Sequence, residues 1–199
     1  MGISRIFMKF GLLFFLLLVG ACSGLTQSDK PAISKWWLKP YVAEQVAPID
    51  SPVGVAVSIT VVPGLDTDRI LTLSKNAELG QFASARWADH VPDLVESLLS
   101  RSLQASGQFV VVPESVASRP GGCLLELELR EFFANIAASG TTTGISISSY
   151  GSFQCKPDTT LVIQSDISVP VADERMSIIV AAFQKGMDQM TREILDIIE

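Results

Sequence analysis

The chain has 199 residues, is 48% hydrophobic, carries a formal net charge of −6 with its one histidine neutral, and holds 3 cysteines. That length suits one modest domain with a real core and is too short for two independent ones. Without the N-terminal Arg5 and Lys9 the charge goes from −6 to −8; such an acidic chain has no overall footprint for nucleic acid or for direct attraction to anionic head groups, so no nucleic-acid partner is expected.

Arg5 and Lys9 precede an apolar run from Phe10 to Val19, which Gly20, Ala21 and Cys22 close. A positive start, a short apolar stretch and small residues at its end are the layout of a secretory signal, and the run is shorter than the roughly 20 apolar residues of a bilayer span. The ending Val19-Gly20-Ala21-Cys22 resembles a bacterial lipobox, in which a diacylglyceryl group is attached to the cysteine and the peptide is cut just before it. The alternative is a plain signal peptide, or an uncleaved anchor, with an incidental cysteine. Under the lipobox reading residues 1–21 are the signal, Cys22 is the lipidated first mature residue, and its acyl chains provide the membrane attachment. Ser23 after the cysteine resembles lipoproteins exported to the outer membrane, which places the protein there facing the periplasm.

Residues 22–50 read as the lipidated N-terminus and a tether, with Pro31, Pro40 and Pro48 and little periodicity. Trp36, Trp37, Leu38 and Tyr41 interrupt it. A flexible linker has no use for two adjacent tryptophans, so this patch either packs on the domain or faces a membrane or partner.

A single domain is expected over residues 51–199, beginning with the strand Val53 to Val62, whose β-branched residues and partly apolar faces suit an inner position. An acidic loop from Leu65 to Asp68 follows. Arg69 to Leu73 and Glu78 to Phe82 read as short strands, joined through Ser74-Lys75-Asn76 as a small hairpin. From Arg86 the spacing of Trp87, Val91, Leu94, Val95, Leu98, Leu99 and Leu103 predicts a helix, with Asp89 as a cap, Pro92 in the first turn and Gly107 as the stop. Phe109 to Val112 is an apolar strand ended by Pro113, and Ser118 to Gly122 a turn or loop.

The next segments are amphipathic strands. Cys123, Leu125, Leu127 and Leu129 share one face of the Cys123 to Phe133 strand, while Glu126, Glu128 and Arg130 take the other. Ile145 to Cys155 and Leu161 to Val169 alternate likewise, giving an antiparallel meander with one wet face. For a hairpin centred on Ser139, opposed residues have numbers adding to 278, as 123 and 155 do. With Cys22 lipidated, Cys123 and Cys155 remain as an even pair in an oxidising periplasm. The spacing therefore predicts a cross-strand disulfide, against the alternative of two buried thiols. A final helix from about Glu174 to Ile198, capped by Asp173, carries Ile179, Phe183, Met187, Met190, Ile194 and Ile198 on one stripe. The expected architecture is α/β: a mixed, largely antiparallel sheet of about five to seven strands with two main helices packed on one face.

Chemistry is sparse. His90 has Asp89 beside it and Ser97 and Ser100 on the same helix, the wrong arrangement for a triad. The chain has no Gly-X-Ser-X-Gly elbow, Walker pattern or dinucleotide fingerprint. Asp66 and Asp68 flank Thr67, but the further ligands of a calcium loop are missing, and two cysteines without clustered histidines make no zinc site. No enzyme activity, metal or cofactor is expected.

The segment Val61-Val-Pro-Gly-Leu-Asp-Thr-Asp-Arg-Ile-Leu71, followed by Glu78-Leu79, Phe82, Arg86-Trp87-Ala88 and the Leu98 to Leu103 helix, resembles the auxiliary lipoproteins of ABC-type transport systems. These include the PqiC-like lipoproteins that accompany inner-membrane MCE proteins in lipid traffic. Trp36-Trp37-Leu38-Lys39-Pro40 stands where family members commonly carry Tyr-X-Leu. The resemblance implies a non-enzymatic periplasmic accessory fixed to the outer membrane, which either contacts an MCE-type protein or transporter complex or forms a ring of copies around its exit. The competing class is a structural or assembly lipoprotein without a transport role. Arg86 and Trp87, the loop residues Leu65, Asp66 and Asp68, and Trp36 and Trp37 are the partner-contact candidates. For Arg86 and Trp87 the alternative is structural, with Trp87 anchoring the helix to the sheet while Arg86 pairs with Asp66, Asp68 or Glu78.

Overall fold

The computed structural model describes residues 32–42, 51–155 and 159–198. The Phe10–Cys22 run with its lipidation position, the tether stretch 43–50 and the 156–158 turn lie outside them.

One long strand organises the sheet. β6 (Cys123–Ile136) pairs antiparallel along one edge with β7 (Thr142–Cys155), which pairs with β8 (Thr159–Pro170). Two parallel strands share its other edge. β2 (Val53–Val61) covers Cys123 to Leu129, and β3 (Arg69–Ser74) covers Phe133 to Ile136. β5 (Phe109–Val111) extends the sheet beyond β2, so β2 is the inner strand its apolar faces called for. Beyond β3 come β4 (Leu79–Trp87) and then β1 (Ser34–Trp36). The sheet is mixed and largely antiparallel, as expected, and β1 adds one strand to those read from the sequence.

From Cys123 to Leu129 the β6–β7 hairpin has the expected register, and from Glu131 to Asn135 it is offset by one residue. Cys123 lies directly opposite Cys155 and the two form a disulfide 32 residues apart in sequence. The turn closes through Ala137 N–H to the Thr141 carbonyl (2.8 Å), with Gly140 supplying φ 86°. Strict alternation stops at Arg130. The register shifts there, and Phe132 and Ala134 take over the buried face from Leu125, Leu127 and Leu129. On β7, positions 149 and 151 interrupt the apolar series Ile145, Ile147 and Phe153 for separate reasons. Ser149 is buried with its hydroxyl 3.5 Å from the Met190 sulfur, and a Cβ at Gly151 would overlap the Glu126 carbonyl.

Two long helices cover the inner face. α1 (Val91–Ala105) buries Val91, Leu94, Val95, Leu98, Leu99 and Leu103. The last helix buries Ile179, Phe183, Met187, Met190 and Ile194. A short helix, α2 (Glu114–Ala117), follows β5 in a region without a helical sequence signal, and the last helix is therefore α3 (Met176–Ile198). Gly186 lets α3 approach β7 closely, since a Cβ there would stand 2.8 Å from Ile147 Cδ1 and 3.0 Å from Ile145 Cδ1. The opposite face is wet: Ser148 donates to Asp166 at 2.6 Å and Arg130 lies over Tyr150 at 4.6 Å.

Three boundaries differ from the sequence reading. Arg86 and Trp87 end β4 rather than opening a helix, because Trp87 is the strand's last inward residue and falls by coincidence at helical spacing from Val91 and Leu94. Asp89 is not the cap: the N-cap is His90, whose own N–H the Asp89 carboxylate accepts at 2.9 Å. Asp173 accepts the Arg175 N–H at 2.8 Å just ahead of α3, an Asx turn rather than a cap.

The loop closed by the disulfide gives its stability contribution. Replacing both cysteines (Cys123→Ala with Cys155→Ala) is expected to cost about 3–4 kcal/mol in urea unfolding under oxidising conditions. An unchanged midpoint would contradict a structural role.

Candidate functional site

The partner-contact candidates converge on one corner of the fold, where the 62–68 loop, the end of β4, β1 and the start of α1 meet. Backbone hydrogen bonds fasten it: Trp87 N–H to Asp68 carbonyl (2.7 Å), Val91 N–H to Thr67 carbonyl (3.0 Å), Ala88 N–H to Trp36 carbonyl (2.8 Å) and Leu65 N–H to Val62 carbonyl (3.2 Å). Strand pairing sets Lys35 beside Arg86 and Trp36 beside Trp87.

Trp87 is 0% exposed. Its ring lies 5.6 Å from Phe132 and 5.1 Å, edge-on, from Phe183, so one side chain joins β4, β6 and α3. Leu65 is also buried. Arg86 is almost enclosed, with 14% side-chain exposure, and its Nε lies 3.9 Å from Asp68. Its Nη1 donates to the carbonyls of Phe82 (3.1 Å) and Ala85 (2.9 Å). Those carbonyls belong to a bulge: between Leu71↔Gln81 and Arg69↔Arg86, β3 has only Ile70 while β4 has residues 82–85. Arg86 thus satisfies acceptors that the irregular ladder frees.

Three other candidates stay accessible. Asp66 and Asp68 have side-chain exposures of 68% and 43%, and Trp37 is exposed beside β1. Trp36 is half-buried in β1 against the core. Asp66 accepts from or pairs with His90 Nδ1 at 2.8 Å, a contact across 24 residues that no local sequence signal announces. That hydrogen bond, helped by the charges of Asp66, Asp68 and Asp93, holds the imidazole above its ordinary 6.5. Among the described residues, no group of three or more His, Cys, Asp and Glu side chains could hold a metal ion.

The corner therefore combines an enclosed aromatic centre with an exposed polar rim of Asp66, Asp68 and His90. The family model for the ABC-type transport auxiliary lipoprotein component matches residues 38–195. The chain belongs to this family. It is a non-enzymatic periplasmic accessory in ABC/MCE-type lipid transport, a lipoprotein anchored at the outer membrane. Among solved structures, a Xanthomonas campestris protein of the DUF330 family shares 18% identity at a TM-score of 0.66, covering 82% of this chain and 92% of that one. A second, described as an uncharacterized protein, shares 14% identity at 0.64, covering 84% and 99%. At these identities the likeness is one of fold. Among curated proteins no sequence matches the chain.

Two measurements separate core from rim. Trp87→Ala is expected to destabilise the domain by about 3–5 kcal/mol, and Trp37→Ala by no more than about 0.5 kcal/mol; comparable losses would mean the burial is misassigned. NMR titration of the single histidine should give a pKa above 6.5 that falls toward 6.5 in Asp66→Asn. Because the folded value is raised, the pair's stabilisation is fully present below 6.5 and fades as pH rises through the folded value. An identical pKa in the variant would remove the pair from the account.

Proposed function

We propose that Cys22 carries the acyl anchor, that residues 1–21 are removed as its signal, and that the Asp66–Asp68–His90 rim meets an inner-membrane MCE-type protein or its transporter complex. The match to the auxiliary family across residues 38–195 carries this reading. Two features of the corner support it. Of the loop and Arg-Trp residues that resemble the family, Leu65, Arg86 and Trp87 are enclosed and Asp66 and Asp68 face outward. The loop is also pinned at Thr67 and Asp68 by main-chain hydrogen bonds, so a partner meets a preorganised acidic surface and little ordering entropy is lost. Complementary positive charge on the partner would speed encounter and set orientation.

A photo-crosslinking amino acid at position 66, in intact cells, is expected to trap an inner-membrane MCE-type protein or transporter subunit. Asp66→Lys should lower co-purification of that protein by about tenfold. Adducts only between two copies would replace this reading with a ring of the lipoprotein. Adducts with outer-membrane assembly components alone would favour the class without a transport role.

A further inference from the structure

The 33–42 segment has a surface that the proposed transport contact does not use. Ile33, Trp37 and Val42 are 56%, 54% and 63% exposed, so three of the ten exposed large apolar side chains among the described residues fall within one stretch of ten. They cannot turn inward, because the segment is already fastened. Leu38 is fully buried, Lys39 exchanges hydrogen bonds with the Gln184 side chain (2.7 and 2.9 Å), and Tyr41 N–H donates to Ser102 Oγ at 2.9 Å. Arg101 lies 5.4 Å from the Trp37 ring centroid. Lys35 and Lys39 are exposed, and neither they nor Arg101 form an ion pair with a described residue. Arg192, over Tyr41, sits in the field of Asp188 and Asp196 and adds little net charge. A locally basic, aromatic and aliphatic surface thus stands out from an acidic chain.

We infer that Ile33, Trp37 and Val42, with Lys35, Lys39 and Arg101 around them, rest on the phospholipid head-group layer of the membrane that holds the anchor. Tryptophan and aliphatic side chains flanked by lysine and arginine suit the head-group boundary, where rings meet the acyl region and cations meet phosphates. The inference rests on acylation of Cys22. Ile33 comes 11 positions after Cys22, a reach of at most about 40 Å, so an acylated Cys22 limits how far this segment can lie from the bilayer.

The test uses the full lipoprotein reconstituted into phosphatidylethanolamine and phosphatidylglycerol vesicles, with tryptophan quenched by phospholipids spin-labelled near the head group. Trp87 is buried and Trp36 half-buried, so Trp37 is the accessible emitter. Quenching about twofold or more above that of Trp37→Phe is expected, rising with the phosphatidylglycerol fraction and reduced by Lys35→Glu with Lys39→Glu. Intact mass reports the anchor independently. Acylated protein whose Trp37 is not quenched overturns this inference and leaves the anchor standing; protein without acylation overturns both. A photo-crosslinker at position 37 that recovers a protein instead of phospholipid in cells also overturns it.

Discussion

Trp87 is the contact on which the rest of the arrangement depends. An indole at the end of β4 touches Phe132 of β6 and Phe183 of α3, and those two rings lie 4.9 Å apart, closing an aromatic triangle. Each ring comes from a different part of the chain, so the triangle links the β3–β4 hairpin, the long central strand and the final helix. The backbone at Trp87 does as much. Its N–H donates to the Asp68 carbonyl, and on the other side the next residue, Ala88, donates to the Trp36 carbonyl of the docked first strand. The acidic loop is therefore held by the same residue that fills the core, and Arg86 satisfies the carbonyls that this geometry releases.

The Arg86-Trp87 pair that carries the resemblance is thus committed to structural contacts. Arg and Trp are common interface anchors, but here the arginine is spent on main-chain acceptors and the indole is enclosed. What they do is hold the loop that carries Asp66 and Asp68, whose carboxylates stay exposed. The enclosed centre serves stability, and the exposed rim is the surface proposed for recognition.

The readable parts of the sequence were those with one unbroken period. β6 alternates cleanly from Cys123 to Leu129 against β7, so the register there, the wet face and the disulfide all followed from parity. The stripes of α1 and α3 were equally plain. Reading failed where two elements with different periods faced the same core: Trp87 continues the spacing of Val91 and Leu94 although it belongs to a strand. It also failed at irregularities. The bulge at Arg130 and the four-residue bulge of β4 change which side chains are buried without any residue type that marks them. The His90–Asp66 pair joins distant residues, and the docked strand Ser34–Trp36 is too short to announce itself except through its tryptophans.

The 33–42 segment is itself part of the fold, fastened through Leu38, Lys39 and Tyr41. Hydrogen exchange on the mature protein tests that directly. The amides of Lys39, Tyr41 and Ala88, which bond to Gln184, Ser102 and Trp36, should open only with free energies within about 1–2 kcal/mol of global unfolding. Exchange of all three at free-chain rates, with β6 and β7 still protected, would mean that the segment is a loose tether and that the surface it carries has no fixed place on the domain.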